Sequence, residues 1–269
     1  MKNKLLYFLI ASIVFIFASC TNDENSHDTI LMLPKTITSK DGNNNIYQTT
    51  TFTYDENKII SISSENGLIE FEYNGNQIVK EIQYTKYKGE ETKYYEIRYT
   101  YSNDKLETCV LTFGSQYQYG SKKYIYSYNE DGTVTKATYK TDKKTGKQLE
   151  NYSTLKFENG NLIKTVLNAE NGQYLSTSQY DYDANKNAFK NILGLNLLLD
   201  QADFGSELNF SSVNNINKYH LLSNPEMEII PCEPIFDTMD YEYNQQGYPI
   251  KQIRYDYKGD VKEIIEYTY

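Results

Sequence analysis

The sequence predicts an all-β protein, an antiparallel up-and-down meander of about fourteen strands that curves into a strongly bent sheet or a barrel. Three observations lead to this fold. Tyrosine makes up 28 of the 269 residues and recurs in the period-two alternation typical of strands. One short unit, an aromatic or apolar residue, any residue, an aromatic, a polar turn and an apolar residue, repeats along the chain. Clusters of Asn, Asp and Gly separate the alternating runs, as in tight hairpin turns.

The N-terminus has the organisation of a secretory signal peptide. Met1–Lys4 carries two lysines, Leu5–Phe17 has no charge, and two small residues precede Cys20. A helix over that apolar run spans only about 20 Å, which is too short to cross a bilayer comfortably. We therefore predict a signal peptide over residues 1–19.

The cysteine at the predicted cleavage point makes this segment resemble a bacterial lipoprotein signal. The resemblance implies that signal peptidase cuts before Cys20 and that Cys20 carries the acyl chains, although Phe17 stands where the family often has Leu. The alternatives are an ordinary signal peptide with an incidental cysteine and an uncleaved anchor. The residues that follow are polar and acidic, so we assign residues 20–45 to the lipidated cysteine, a flexible tether and a lead-in to the fold.

Acidic residues close behind the lipidated cysteine resemble the surface-export signal of Bacteroidota outer-membrane lipoproteins. Asp23 and Glu24 are the matching positions. The resemblance implies an outer-membrane protein that is anchored through Cys20 and exposed at the cell surface. A periplasm-facing attachment is the alternative.

The repeat begins near residue 46 and continues to the end of the chain. The aromatic that closes each unit recurs about every 19 to 29 residues, with one longer step of 61, at Tyr54, Tyr73, Tyr101, Tyr128, Phe157, Tyr182, Tyr243 and Tyr269. We predict one β-repeat domain over residues 46–269. Open twisted sheets of more than about ten strands curl or close, so strong curvature is expected.

The unit resembles the YD repeat of RHS-type proteins, which build β shells. Tyr54-Asp55, Tyr182-Asp183 and the turn at Tyr128–Gly132 carry the likeness. This chain is too short to enclose a toxin, so the resemblance implies only the meander. Together with the signal, the whole chain resembles a group of Bacteroidota lipoproteins with a porin-like β fold and no assigned function.

The long step in the repeat marks an irregular insertion over about residues 187–235. Its first part is the most apolar stretch after the signal, with leucines at Leu193, Leu195, Leu197, Leu198 and Leu199. We expect a hydrophobic cap over an open end of the sheet, because such a cluster requires burial. A lid or a binding loop is the alternative.

Few residues suggest chemistry, and no catalytic, cofactor or metal site is predicted. Asp181–Asn187 alternates oxygen side chains like a calcium loop, but the Gly and Glu that such a loop requires are absent, so we predict a turn. Cys109 and Cys232 can form a disulfide in an exported protein, and two buried thiols are the alternative. His220 is the single histidine of the repeat domain, and no catalytic set surrounds it.

The net charge and the placement of charged residues limit the possible location and partners of the protein. The net charge is -9 with the signal and -11 without it, which argues against a nucleic-acid partner. The alternation also places charge on both faces of the strands: Lys80 with Ile78 and Ile82 on one face, Glu81 and Gln83 on the other, and Lys122 with Tyr124 and Tyr126. Because a membrane barrel needs an apolar outer band, this pattern favours a domain tethered outside the bilayer.

These inferences lead to a lipid-anchored cell-envelope protein with a non-catalytic binding or structural role. Its expected partners are the membrane, through Cys20, and a glycan or an envelope protein. One alternative is a glycan-binding accessory lipoprotein that uses tyrosine rings as stacking surfaces. A second is a glycan hydrolase that depends on carboxylates.

Overall fold

A computed structural model describes residues 31–115, 120–141, 148–201, 210–224 and 235–269, with residues 148–150 by backbone only. In these ranges sixteen strands form one closed antiparallel barrel, in which each strand pairs with its neighbours in sequence and β1 pairs with β16. The strands are β1 Thr36–Asp41, β2 Ile46–Asp55, β3 Lys58–Ser63, β4 Gly67–Asn74, β5 Gln77–Tyr87, β6 Glu90–Ser102, β7 Lys105–Phe113, β8 Ser121–Tyr128, β9 Val134–Thr141, β10 Gln148–Glu158, β11 Asn161–Ala169, β12 Tyr174–Lys186, β13 Asn214–Ser223, β14 Ile235–Tyr243, β15 Pro249–Tyr255 and β16 Val261–Thr268. A 3₁₀ helix covers Leu195–Gln201.

The predicted all-β meander is confirmed, and its curvature is complete closure. The sequence indicates about fourteen strands, and the two additional ones lie where the repeat is not visible. β1 falls in the segment predicted as tether and lead-in, and β13 falls inside the insertion. Neither carries the aromatic pair that marks the other units.

The two ends of the barrel differ, and we name them by what occupies them. The plugged end carries the turns at residues 56–57, 75–76, 103–104, 129–133, 159–160 and 244–248, the start of the described chain at Leu31, and its end at Tyr269. The mouth is the opposite end, with turns at residues 42–45, 64–66, 88–89, 170–173 and 256–260. At the plugged end Asn159 and Gly160 both have positive φ, 51° and 78°, as an Asn-Gly type I′ turn requires.

The inner face of the barrel is largely apolar, with Glu81, Asp237 and Arg254 as buried charged exceptions, and the outer face is polar. Inward side chains such as Phe71, Ile97 and Leu155 are buried, and their strand neighbours point outward. The predicted faces of β5 are wrong in part, because a register shift at its pairing with β4 turns Ile78 inward. Lys80 and Ile82 face outward, opposite Glu72 and Glu70.

Alternating charges cross the outer face at the seam where the barrel closes. Glu242 contacts Lys251 at 3.0 Å, Lys251 lies opposite Glu266, and Glu266 contacts Lys40 at 2.7 Å. These residues belong to β14, β15, β16 and β1. Cross-strand pairs of opposite charge stabilise a sheet whose face meets water.

The repeated tyrosines hold the plugged end together. Adjacent strands diverge there; the β5–β6 ladder, for example, ends at Lys80–Arg98. Tyr101 reaches across this gap, and its hydroxyl donates to the carbonyl of Ile78 at 2.6 Å. The same contact, from the end of an even-numbered strand to the start of the preceding strand, recurs at 2.6–3.1 Å for Tyr54, Tyr101, Tyr128, Tyr182, Tyr241 and Tyr269, which we call the tyrosine staples.

The first part of the insertion folds into the barrel as a plug, which we define as residues 187–201. Ile192, Leu195 and Leu198 are buried in the core, and Phe189 packs on Phe52 with ring centroids 5.7 Å apart. Gly194, at φ +77°, passes the β4–β5 turn so closely that a Cβ atom would lie 2.5 Å from the carbonyl oxygen of Asn76. The leucine cluster is therefore a cap, as predicted. In the described residues, no helix is long and apolar enough to span a membrane.

Candidate binding site at the barrel mouth

A cleft of about 650 Å³ lies in the outer wall, where the β11–β12 ladder ends at Lys164–Gln179. Its charged groups largely satisfy one another. Lys156 contacts Glu158 at 2.8 Å, and Lys218 lies 3.9 Å from Asp181. A ligand would have to compete with these pairs, so size alone does not make the cleft the strongest candidate.

His220 and the segment predicted as a turn both line this cleft. His220 packs edge-to-face on Phe236, with 5.5 Å between ring centroids. Asp183 accepts hydrogen bonds from the backbone of Asn185 at 2.9 Å, from Asn215 and from the Tyr243 hydroxyl. Residues 181–186 continue strand β12 with two register shifts, so the turn forms only beyond them. Asp183 is a structural acceptor there.

A smaller pocket of about 240 Å³ opens at the mouth, on the inner face of β7, β8 and β9. Lys122 and Lys140 lie directly opposite each other on β8 and β9, and both line the pocket. Lys122 shares the inward face of β8 with Tyr126, which is buried, so the sequence-predicted face of Lys122 is correct. Neither lysine forms an ion pair with a described residue.

Aromatic rings form the opposite wall of this pocket. The rings of Tyr94 and Phe113 meet edge-to-face, with centroids 5.7 Å apart, and the ring of Tyr95 lies 5.3 Å from Tyr94 and 6.2 Å from Phe113. Gly120 and Ser121 complete the lining. The mouth pocket, which we define by Tyr94, Phe113, Gly120, Ser121, Lys122 and Lys140, thus combines an apolar surface with two positive charges.

The tip of the plug is held against the inner wall of the barrel. Asp200 forms an ion pair with Lys136 and accepts a hydrogen bond from the Tyr126 hydroxyl at 2.8 Å. The Cys109 thiol donates to the side-chain oxygen of Gln201 at 3.3 Å. These contacts fix the tip against β7, β8 and β9.

A second charged group lies across the barrel, where β14, β15 and β16 approach the mouth. Asp237 is buried and accepts from Arg254 at 2.9 Å and from Lys262 at 3.1 Å. Tyr47 donates to Glu263, and burial together with that carboxylate raises the pKa of Tyr47 to about 12. This group is internally compensated, unlike the mouth pocket.

Of the three cysteines for which the sequence predicts a role, the structure describes Cys109. Cys109 is buried with a free thiol, and burial raises its pKa well above the ordinary value. Cys232 and Cys20 lie outside the described residues, so the disulfide and the lipidation remain predictions. In the ranges given above, no group of three or more His, Cys, Asp or Glu side chains converges as a metal site would require.

Sequence reasoning did not identify the mouth pocket. Lys122 and Lys140 are eighteen positions apart, and only the register of β8 with β9 brings them together. One signal was available: seven lysines occur between residues 120 and 148 of an otherwise acidic chain, at Lys122, Lys123, Lys136, Lys140, Lys143, Lys144 and Lys147.

Comparison with solved structures supports this fold at one of the two scores that follow, the one above 0.5. A porin-like protein from Bacteroides vulgatus superposes with a TM-score of 0.58 at 15% identity, covering 88% of this chain and 98% of that one. A porin-like protein from Bacteroides uniformis gives a TM-score of 0.37 at 12% identity, covering 87% and 97% of the two chains. No protein-family profile and no curated protein matches the sequence. At this identity the likeness to the Bacteroides vulgatus protein concerns the fold: this chain adopts a porin-like β-barrel architecture.

Proposed function

We propose that this protein is a non-catalytic binding protein of the cell envelope, anchored by a lipid at Cys20, which takes up a saccharide ligand at the barrel mouth. One observation carries the proposal: the plug fills one end of the barrel, and the opposite end presents aromatic rings beside two lysines that have no acidic partner among the described residues. Rings with adjacent polar groups suit a sugar, whose C–H faces stack and whose hydroxyls need hydrogen-bond partners.

The outer surface supports a position outside the bilayer. A porin turns an apolar band to the lipid and a polar surface to its lumen. Here the arrangement is reversed, with the Lys40–Glu266–Lys251–Glu242 charges outside and leucine, isoleucine and tyrosine inside. Each outward lysine would cost about 2–4 kcal/mol at the bilayer midplane. A lipid anchor is the attachment that suits such a barrel.

The described chain enters the barrel at the plugged end. Met32 and Pro34 lie there, where they accept hydrogen bonds from Asn191 and Tyr54. Leu31, where the described chain begins, and the mouth pocket therefore lie at opposite ends of the barrel.

Two interior carboxylates support a binding rather than a hydrolytic role. Asp237 is held by Arg254 and Lys262, and Asp200 by Lys136 and Tyr126. A glycosidase needs one carboxyl that can donate a proton and a second that is free to act on the sugar. Neither of these two is free.

Protease shaving of intact cells tests the location, with wild type compared with Cys20→Ala. We expect intact wild-type cells to lose the domain, and Cys20→Ala to release it from the membrane. If the wild-type domain resists the protease until the outer membrane is opened, the domain faces the periplasm and is not exposed at the cell surface. A Cys20→Ala protein of mature size that stays membrane-bound would refute the lipid anchor.

Binding is tested with the soluble mature chain, Thr21–Tyr269, against a panel of neutral and acidic oligosaccharides, by calorimetry. We expect saturable binding without product release. A folded protein that retains no member of the panel would contradict the binding role, and release of shortened product would establish the hydrolase alternative.

A further inference from the structure

We propose that the mouth pocket selects acidic saccharides, with a sugar ring packed on Phe113 and Tyr94 and its carboxylate or sulfate group held between Lys122 and Lys140. This inference rests on the proposed function and adds the ligand class. Its basis is a pair of positive charges that has no acidic partner in the part of the chain that the structure describes, placed beside an apolar wall in an acidic protein.

The lysine pair is unusual within this barrel. Like charges directly opposite each other destabilise a sheet, so such a pair normally has acidic neighbours. Lys80 and Arg98 also lie opposite each other, but Glu72 contacts Lys80 at 2.7 Å and Glu96 contacts Arg98 at 2.6 Å.

The third such pair, Lys156 with Lys164, has an acidic partner on one side, since Glu158 lies 2.8 Å from Lys156. Of the directly opposed cation pairs in the described strands, only Lys122 and Lys140 have no acidic partner on either member. A bound anion would supply the missing compensation.

The shape of the mouth pocket indicates a ligand that is larger than a free inorganic anion. The pocket of about 240 Å³ has room for a sugar ring and not only for an inorganic ion. The rings of Tyr94 and Phe113 lie 65° apart, so they form a corner and not two parallel plates. A non-planar sugar ring fits such a corner, while a planar nucleobase stacks best on a flat surface or between plates.

The chain offers a matched control for the lysine pair. Lys123 follows Lys122 on the same strand, but it points outward, opposite Val110 and Tyr139. Replacing Lys123 removes the same charge from the same element and leaves the pocket unchanged.

The experiment measures calorimetric affinity for a galacturonic acid trisaccharide and for the neutral galactose trisaccharide. It compares the wild type, Lys122→Gln/Lys140→Gln and Lys123→Gln, all in the mature chain. We expect the wild type to prefer the acidic sugar, the double variant to lose about tenfold or more of that affinity, and Lys123→Gln to lose less than about twofold. The acidic sugar should also bind more weakly as salt rises.

The Lys140→Glu variant distinguishes a specific loss of binding from a loss caused by misfolding. The new carboxylate would face Lys122 and replace a repulsive pair with an attractive one, so the melting temperature should rise while acidic-sugar binding falls below that of the double variant. This opposite movement of stability and binding cannot arise from damage to the fold.

The outcomes separate this inference from the proposed function. Equal binding of both sugars, unaffected by the lysines, would refute acidic selectivity and leave saccharide binding intact. Binding of neither sugar, and of no other saccharide in the panel, would contradict the proposed function itself. Tighter binding of uridine monophosphate than of the acidic sugar, lost in the double variant, would reassign the pocket to nucleotides and refute the saccharide class.

Discussion

The plugged end and the mouth are built from the same sixteen strands, yet they treat polar groups in opposite ways. At the plugged end, the staple hydroxyls of residues such as Tyr101 and Tyr182 meet a carbonyl, and the leucines of the plug are buried. At the mouth, Lys122 and Lys140 face each other without an acidic partner among the described residues. The staples and the plug stabilise one end, and the other end has the lysine pair to which we assign ligand binding.

The repeat stabilises one end of the barrel. Its tyrosines close the wedge between diverging strands, and they do so at the end that receives the plug. The high tyrosine content is explained there by structure alone. The proposed ligand site lies at the opposite end, and it uses side chains that are not part of the repeat.

The largest expected effect is alkaline unfolding that begins at the stapled and buried tyrosines. Burial raises the pKa of Tyr124 and of Tyr180 to about 12, and it raises the pKa of the staple residues Tyr101, Tyr182 and Tyr241 above the ordinary value. The folded state then binds more protons than the unfolded state above about pH 10, so stability is complete below that pH and falls as pH rises, by about 1.4 kcal/mol per pH unit for each such tyrosine.

Urea unfolding between pH 8 and pH 11.5, with tyrosinate absorbance at equilibrium, measures this loss. Ionisation should appear together with unfolding and not before it. Tyrosinate formation in most of the 28 tyrosines while the barrel stays folded would show that the staples are open to water.

The second effect tests whether the plug belongs to the core. Leu198 is fully buried, so Leu198→Ala should cost about 2–5 kcal/mol of unfolding free energy. Leu222→Ala, at a position 41% exposed near the mouth, should change it by less than about 0.5 kcal/mol. Similar small values for both would make the plug a loosely held lid, which is the alternative that the sequence leaves open.

The third effect isolates the close approach of the plug to the β4–β5 turn. Gly194→Ala meets both a positive φ and the Asn76 carbonyl oxygen, whereas Gly89→Ala at the mouth meets a φ of +82° and nothing within 4 Å. We expect the φ penalty of about 1 kcal/mol at Gly89 and a larger loss, about 2–3 kcal/mol, at Gly194. Equal losses by thermal denaturation would show that the plug can shift away from the turn.

The sequence predicts the repeat and the meander because period-two alternation and Asn-Gly turns are local signals. It does not predict β1, whose residues carry no aromatic unit, or the outward face of Lys80, which depends on a register shift between β4 and β5. The cap follows from the leucine cluster alone. The mouth pocket needs the pairing of Lys122 with Lys140, and pairing is a property of the closed barrel rather than of either strand.

The smallest effect concerns a single staple. Tyr101→Phe keeps the ring against the core and removes one hydroxyl, which leaves the Ile78 carbonyl without that donor, so we expect a loss of about 1 kcal/mol. Tyr87→Phe is the control, because Tyr87 is 73% exposed at the mouth and should change stability by less than about 0.5 kcal/mol.

The chain contains a natural version of the variant in Phe157, which closes the one unit whose closing aromatic has no hydroxyl. There the β9–β10 ladder stays paired as far as Val134–Leu155, so the wedge is narrower. If Tyr101→Phe costs nothing, the tyrosines stabilise the plugged end by ring packing alone, and the contrast with the mouth depends on the plug.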